Sequence, residues 1–570
     1  MTLIDLFFEK TQNLANDIAY YYLVDGENNV QKITFNELKE KAELFASFLL
    51  EKYPLQSRIV LLFDTGLDFV VSFWGTILAG MVAVPVQPPY NFQMLERLIH
   101  IGKNAESSVL ITNNDFLKQI ENFKAYLQEL PEMEKISVED ILSKTNNYKK
   151  PNIDKNDNAL IQYTSGSVGV SKGVLLSHHN ILSDLKMPVA VLTKTKPERT
   201  EKDSCLCWLP LYHDMGLASG IVLSFLLNSY SVIMSPLIFL QKPFRWIKAL
   251  SDYKTTVSAA PNFAFDVCSK KIKEEQLEGL DLSNWSITLN GAEPIRYETI
   301  TNFSKKFAKA GFREKQFYPA YGLAESFVFV TGKGRNEEVR FLQVDKENLE
   351  KNIIILSEQE EKSVKIVSLG YSWGEQDLLI INPETLEILP ENQVGEVVIS
   401  SPSIAKGYWN MKEETERVFN IKLNTNDERY KDKSFLRTED LGFLNEGYLY
   451  LTGRIKDLII IRGNNYYPQH IEQTVEKSHS SFRLGNCSAF SIQEKGEEKL
   501  IVVQEIKKGI DNLNISELND VVNKNVTEKH GISPYKIIFV KAESLPKTSS
   551  GKLQRRASKK MFLEGSFKPF

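Results

Sequence analysis

Cysteine, histidine and unbalanced charge are all scarce in this chain, and each scarcity excludes something. Four cysteines in 570 residues (Cys205, Cys207, Cys268 and Cys487) make neither a disulfide framework nor a paired Cys-x-x-Cys zinc pattern. That usage predicts a reducing, cytoplasmic setting. The seven histidines include no H-E-x-x-H or other zinc spacing. The net charge is only −4, so no strong overall field calls for nucleic acid. The opening MTLIDLFFEKTQ carries Asp5 where a signal peptide would be positive, and no small-residue cleavage site follows, so no targeting segment is expected. Repeats, heptads and low-complexity tracts are also missing.

Two stretches, 69–95 and 215–241, lack charge for longer than a bilayer span. Both are interrupted. In the first, a helix-like run stops at Gly80, and MVAVPV then reads as a buried strand before Pro88 and Pro89. The second reads as an apolar helix through Leu227, then a strand over 231–234 before Pro236. Helix followed by strand in a large core predicts a soluble protein without stable membrane insertion.

What is present is ordinary globular composition, 42% apolar and 25% charged, in a chain long enough for two to four domains at about 150 residues each. Short Val/Ile/Leu runs (58–63, 107–112, 255–261) alternate with helix-length stretches such as 35–51. This predicts an α/β fold of layered, largely parallel sheets. Over 370–455 the pattern turns to strands and turns, predicting a β-rich subdomain. A boundary is expected near Lys456, dividing a large N-terminal domain, 1–455, from a small mobile α+β domain, 456–570. The latter has 19 lysines and arginines against 13 acids, a net +6, which leaves −10 for the rest. An acidic partner would fit, and so would chance distribution of surface charge. The charge-dense stretch 333–370 reads as an insertion between regular blocks.

Chemistry begins at YTSGSVGVSKGV, 163–174. Small residues let backbone N–H groups approach phosphate, hydroxyls add donors and a lysine adds charge. The spacing is not that of a P-loop, because Lys172 is followed by Gly173. A Gly/Ser surface turn is the competing explanation for this motif alone. Six more follow: WLPLYHDMGL (208–217), NGAEPIR (290–296), YPAYGLAES (318–326), LRTEDLGFL (436–444), GRIKDLIIIRGNNYYPQHIE (453–472) and LPKTSSGKLQRR (545–556).

In order and spacing, these seven resemble the core motifs of the adenylate-forming superfamily of acyl-CoA synthetases, adenylation domains and luciferases. The string RGNNYYPQHIE, the segments 82–89 and 258–267, and the position of the insertion are similar to fatty acyl-AMP ligases in particular. The resemblance implies that ATP and Mg²⁺ activate a medium- or long-chain fatty acid as acyl-adenylate. The acyl group would then pass to an acyl carrier protein, or to a carrier domain of a polyketide or peptide synthase. Carried over by residue, Thr164, Ser165, Gly166 and Lys172 hold the β/γ-phosphates. Gly291, Ala292, Glu293 and Pro294 wall the adenine site, and Tyr321 stacks on the base, followed by Gly322, Leu323 and Ala324. Glu325 holds Mg²⁺, Asp440 accepts from the ribose hydroxyls, and Arg454 reaches ribose and phosphate. Lys552 bridges carboxylate and α-phosphate.

The resemblance also makes Lys456 the hinge, although a hinge needs only a residue that tolerates changed φ/ψ. His213 falls where relatives place a gate near the acyl carboxylate; a satisfied core histidine competes with that reading. Ala260, Pro261 and Phe263 belong to an apolar segment, 259–265, that is either a wall of the acyl channel or ordinary core. His178 and His179 follow Ser177 at an expected helix start. The basic run 547–560, with Arg555 and Arg556, is expected to help dock an acidic carrier protein. The insertion is expected to restrain the C-terminal domain. Two departures stand out: Val168 for the usual Thr of the phosphate loop, and Glu439 for the Gly before Asp440. An acyl-CoA synthetase and a non-catalytic acyl-nucleotide-binding protein remain as alternatives. A peptide-synthetase domain is disfavoured, because no carrier domain follows in the sequence.

Overall fold

The charge-free stretch 69–95 folds into the helix Leu67–Leu78 and the strand Val82–Val86, and every residue from Phe69 to Leu78 is buried. Twelve residues make a helix far too short for a bilayer, which takes about 20. The helix packs closely on Phe35–Lys52: a Cβ at Gly75 would lie 2.5 Å from the Phe45 ring, so only glycine allows the approach. The computed structural model describes residues 1–121, 132–164, 171–194, 203–462, 464–494, 497–510, 513–548 and 551–570. Among these, no helix is long and apolar enough to cross a membrane.

Two mixed sheets with helices between and around them form the large N-terminal part. The seven-stranded sheet is parallel through Asn158–Thr164, Val82–Val86, Arg58–Leu62, Val109–Thr112 and Glu134–Ser137. One edge is antiparallel, where Lys172–Ser177 returns beside Asn158–Thr164. The nine-stranded sheet is parallel from Phe317–Tyr321 through Ile287–Asn290, Val257–Ala260, Cys205–Cys207 and Ser231–Met234 to Ile18–Leu23, with antiparallel strands at both edges. The parallel reading holds for the sheet centres, and short hairpins reverse the direction at the margins. Leu61 and Ile111 of one sheet and Leu206 and Ile233 of the other belong to one apolar core, which makes the layers a single body. The β-rich region is a four-stranded antiparallel sheet: Asp377–Ile381, Gly395–Ser400, Leu436–Asn445, Tyr448–Arg454.

After Arg454 the chain makes a 3₁₀ turn, Ile455–Asp457, and a short hairpin, Ile459–Ile461 with Asn464–Tyr466. The three-stranded sheet that follows, Phe482–Glu494, Glu497–Ile506 and Lys536–Val540, is covered by the helices Pro468–Ser478 and Ile515–His530. This part has its own core, built on Val475, Leu500, Val502 and Val522, which fits the predicted α+β character.

The charge-dense stretch does not float. Arg335 is a buried anchor, bidentate to Asp203 at 2.7 and 3.0 Å, and burial lowers the Lys333 amine to about 8. Beyond them the hairpin Phe341–Asp345/Ser363–Val367 sends Val344, Leu349, Ile354 and Ile366 into a cluster with Val394, Leu441, Phe443 and Tyr450, and also with Tyr467. Asn352 Oδ1 accepts from the Tyr467 hydroxyl at 3.1 Å, and the Glu350 carbonyl accepts from Asn465 N at 3.2 Å. The insertion therefore touches both the β-sheet and the start of the C-terminal part.

At the helix His178–Lys194, Ser177 Oγ accepts from Asn180 N at 3.2 Å, so the expected cap is present. His178 is fully buried, its Nδ1 accepting from Leu3 N at 3.3 Å, and burial depresses its pKa to about 4. A depressed histidine favours the neutral ring in the fold. The stability it contributes is complete above the unfolded value, 6.5, and is lost as pH falls through about 4. Acid melting should therefore be steeper in the natural chain than in His178→Gln, by up to about 3 kcal/mol at pH 4. Thermal midpoints from pH 8 to 4 check this, and identical acid limbs would refute it.

Candidate active site

Motifs scattered over four hundred residues meet where the C-terminal part leans on the large one. Thr164 ends the strand Asn158–Thr164, and Lys172 begins Lys172–Ser177. Ser165, Gly166 and Val168 lie outside the described residues. The Lys172 amine is ion-paired with Glu414 and sits 4.7 Å over the Tyr408 ring. Arg417 and Lys172 together draw the Glu414 carboxyl down to about 2. Tyr408 in turn donates its hydroxyl to Glu325 Oε1 at 2.7 Å, and the Ala405 amide donates to the Glu325 carbonyl at 2.8 Å. Burial raises the Glu325 carboxyl, and the Tyr408 hydrogen bond opposes that rise.

Tyr321 closes the strand Phe317–Tyr321 and donates its hydroxyl to Asp440 Oδ2 at 2.7 Å. Asp440 Oδ1 accepts from Arg454 Nε, also at 2.7 Å, across the antiparallel pair that sets these two residues opposite each other. Asp440 is 5% exposed, and its carboxylate holds the Arg454 guanidinium pKa up. After Tyr321 the backbone doubles back. A Cβ on Gly322 would stand 1.7 Å from the Val328 carbonyl, so this glycine is required for the turn itself. Leu323 is half-buried and Ala324 buried, opening the 3₁₀ turn Ala324–Ser326 that presents Glu325.

Gly291, Ala292, Glu293 and Pro294 follow the strand Ile287–Asn290, with Ala292 at φ +67°. Glu293 turns back and accepts from the Phe263 amide at 2.5 Å. It thereby links this loop to Ala260 and Pro261 at the start of the helix Asn262–Lys271. Burial raises the Glu293 carboxyl. The segment 259–265 divides: Phe265 is core, packed among Trp246, Trp285, Phe303 and Phe317, whereas half-buried Phe263 meets Trp208 edge-on at 6.4 Å. His213 stands just before the helix Asp214–Leu217, its Nδ1 2.5 Å from Asp214 Oδ1. The helix continues through a π-helical stretch, Ala218–Val222, a distortion common beside functional residues.

The C-terminal part contributes Lys552. Its loop is pinned by Lys552 N donating to Thr548 Oγ1 at 3.0 Å and by Thr548 N donating to the Lys552 carbonyl at 2.8 Å. Gly551, at φ +86°, lies against the Phe263 ring. Burial lowers the Lys552 amine, Arg454 lowers it further, and Asp214, Glu293 and Asp440 pull the other way. Lys552 of the small part thus feels the charges of three carboxylates and a guanidinium of the large one. Among the described residues no group of three or more His, Cys, Asp or Glu side chains could hold a metal by itself. Glu325 alone suits Mg²⁺, which keeps waters and substrate phosphates beside one or two carboxylates.

Residues 7–409 match the AMP-binding enzyme family, and residues 456–569 match the AMP domain of Disco-interacting protein 2-like proteins. The chain belongs to the AMP-binding enzyme family. It is 39% identical over 574 residues to the medium-chain-fatty-acid–acyl-carrier-protein ligase JamA of Moorena producens (strain JHB), covering 99% of this chain and 95% of that one. The solved fatty acid AMP ligase from Legionella pneumophila is 36% identical, with a TM-score of 0.75 over 100% of this chain and 97% of that one. A second structure, from work on fatty acyl-adenylate ligases of E. coli and L. pneumophila, is 28% identical with a TM-score of 0.87, covering 99% and 98%.

Several residues of this AMP-binding enzyme's site escaped the sequence. Tyr408, Glu414 and Arg417 lie in SIAKGYWNMKEETERVF, which carries no chemical spacing of its own; Asp214, next to His213, was legible as a partner. One expectation is corrected. Arg555 is not a docking residue, because its guanidinium is turned inward, bidentate to Glu472 at 2.7 and 2.7 Å and 3.2 Å from Asp457. Lys560, on the same helix Arg555–Leu563, is exposed.

Proposed function

We propose that this chain uses ATP to convert a medium- or long-chain fatty acid to acyl-adenylate, releasing pyrophosphate, and then transfers the acyl group to the phosphopantetheine thiol of an acyl carrier protein. What supports this reading is the placement of Lys552 within electrostatic reach of Asp214, Glu293, Asp440 and Arg454. Attack of a carboxylate oxygen on the α-phosphate gathers negative charge around phosphorus. Fixed cations stabilise that charge more than they stabilise the separated reactants. Lys552 bridges the acid and the α-phosphate, and Arg454 reaches ribose and phosphate from the far side. Asp440 accepts from the ribose hydroxyls, with Tyr321 and Arg454 already holding both its oxygens in place. Tyr321 stacks on adenine, walled by Gly291, Ala292, Glu293 and Pro294. Thr164 and Lys172 take the β/γ-phosphates with Ser165 and Gly166. Mg²⁺ held by Glu325 would neutralise phosphate charge. His213, fixed by Asp214, borders the acyl carboxylate, and Ala260, Pro261 and Phe263 border the chain.

Lys456 is the hinge on which the small domain, 456–570, turns for the second step. The contact of the insertion with Asn465 and Tyr467 restrains the segment just beyond Lys456, and the 39% identical relative named as an acyl-carrier-protein ligase supports a carrier protein over CoA. Purified protein given ATP, Mg²⁺ and dodecanoate should accumulate acyl-adenylate in the presence of CoA and discharge it to a phosphopantetheinylated carrier. Efficient acyl-CoA formation would make it a synthetase instead. No adenylate from any acid would favour a non-catalytic nucleotide binder.

A further inference from the structure

Glu439 occupies a left-handed backbone position, φ +58°, which favours glycine. Its carboxylate turns away from Asp440. Oε1 lies 2.6 Å from Lys456 Nζ and 3.1 Å from Arg417 Nη2. Arg417 is also bidentate to Glu414, at 2.8 and 2.8 Å, one turn back on the helix Lys412–Phe419. Glu414 holds Lys172. Five side chains of alternating sign, Lys172, Glu414, Arg417, Glu439 and Lys456, thus run without a break from the edge of the phosphate site to the hinge. They come from four separate elements of the chain.

We propose that Glu414, Arg417 and Glu439 are positioning residues that couple occupancy of the phosphate site to the hinge. The inference rests on the reading above of Lys172 as a phosphate ligand and Lys456 as the hinge. Lys172 has two competing anions, Glu414 and the triphosphate. A bound nucleotide draws its ammonium off Glu414, which is then left with Arg417 alone. Arg417 Nη2, now divided between Glu414 and Glu439, shifts towards Glu414. Glu439 is left to Lys456, and the ion pair that steadies the hinge strengthens. Departure of pyrophosphate returns Lys172 to Glu414, draws Arg417 back to Glu439 and loosens Lys456 for the second step. Alternation of sign dictates this direction. A glycine before Asp440 would support no such link.

Partly exposed ion pairs are worth about 0.2–1 kcal/mol, so nucleotide should slow backbone hydrogen exchange over 455–458 by about two- to fivefold. The experiment uses the full chain and α,β-methylene-ATP, whose α–β bridge cannot break to give up an adenylyl group, with affinity measured separately by calorimetry. In Glu439→Gln the analogue should bind within about twofold of the natural chain, yet the slowing at 455–458 should vanish. Glu439→Gly, which relieves the left-handed strain and so preserves folding, should behave likewise. High salt should erase the effect in the natural chain while the analogue is kept saturating. Retention of the full nucleotide-dependent slowing in both variants overturns the proposal. So does a uniform rise in exchange that leaves the nucleotide response intact, because that is what a merely structural role would give. Failure of the natural chain to bind the analogue at all would sink the nucleotide reading of the site instead.

Discussion

Lys552→Ala should lower the rate of acyl-adenylate formation by about 10²–10³-fold, the usual cost of losing one fixed charge-stabilising donor. The side chain arrives on a loop held by Thr548 and feels the charges of Asp214, Glu293, Asp440 and Arg454. Its cationic form is disfavoured by burial and by Arg454, and favoured by the three acids. Losing it removes one positive charge from the place where an anionic carboxylate and an anionic phosphate must meet. Because the charge it stabilises is greatest in the transition state, the loss should fall mainly on kcat, with a small change in KM for ATP. Pyrophosphate exchange measures the first step. Supplying preformed acyl-adenylate and carrier protein measures the second, which should be spared. Normal adenylation by Lys552→Ala would remove the central element of the proposed mechanism.

Arg555→Ala should destabilise the C-terminal part by about 3–5 kcal/mol, the cost of removing one partner from a buried ion pair. Glu472 is 5% exposed, and its Oε1 also accepts from the Ala489 amide at 3.1 Å. Without the guanidinium, this carboxylate stays buried beside Glu476, which is 3% exposed and paired with Arg296 at 3.2 Å. Asp457, one residue beyond the hinge position, loses the same partner. Calorimetry of the full chain should show a transition from the C-terminal part moving to lower temperature while the main transition stays in place. An unchanged thermogram would contradict the buried-pair account. Lys560→Glu, on the exposed face of the same helix, should leave melting nearly unchanged and slow transfer to an acidic carrier.

Local periodicity made much of the fold readable. Gly80, at φ +63°, stands just after the helix it was expected to end, and the strand expected over 231–234 is Ser231–Met234. Ser177 caps as its position before a helix implied. The reading weakened where burial contradicted composition: Arg335 and Lys333, in the most charged part of the chain, are inside it. It weakened again at the basic tail, where Arg555 is spent on an internal pair. Charge in a sequence reports solvent only when no partner of opposite sign is folded against it.

The α/β class, the β-rich change near 370, the order of seven motifs and the resemblance to the family could all be read along the chain. Those depend on spacings within a few residues, which a linear text preserves. Which motifs touch became visible in the folded chain alone. Tyr321 meets Asp440 across 119 residues, Glu325 meets Tyr408 across 83, and Lys172 meets Glu414 across 242. The fold also brings Asn352 to Tyr467, and pairs Glu439 with Lys456 and Arg417. Each such contact joins single ordinary side chains brought together by sheet pairing and burial, and neither residue carries a local mark of its distant partner.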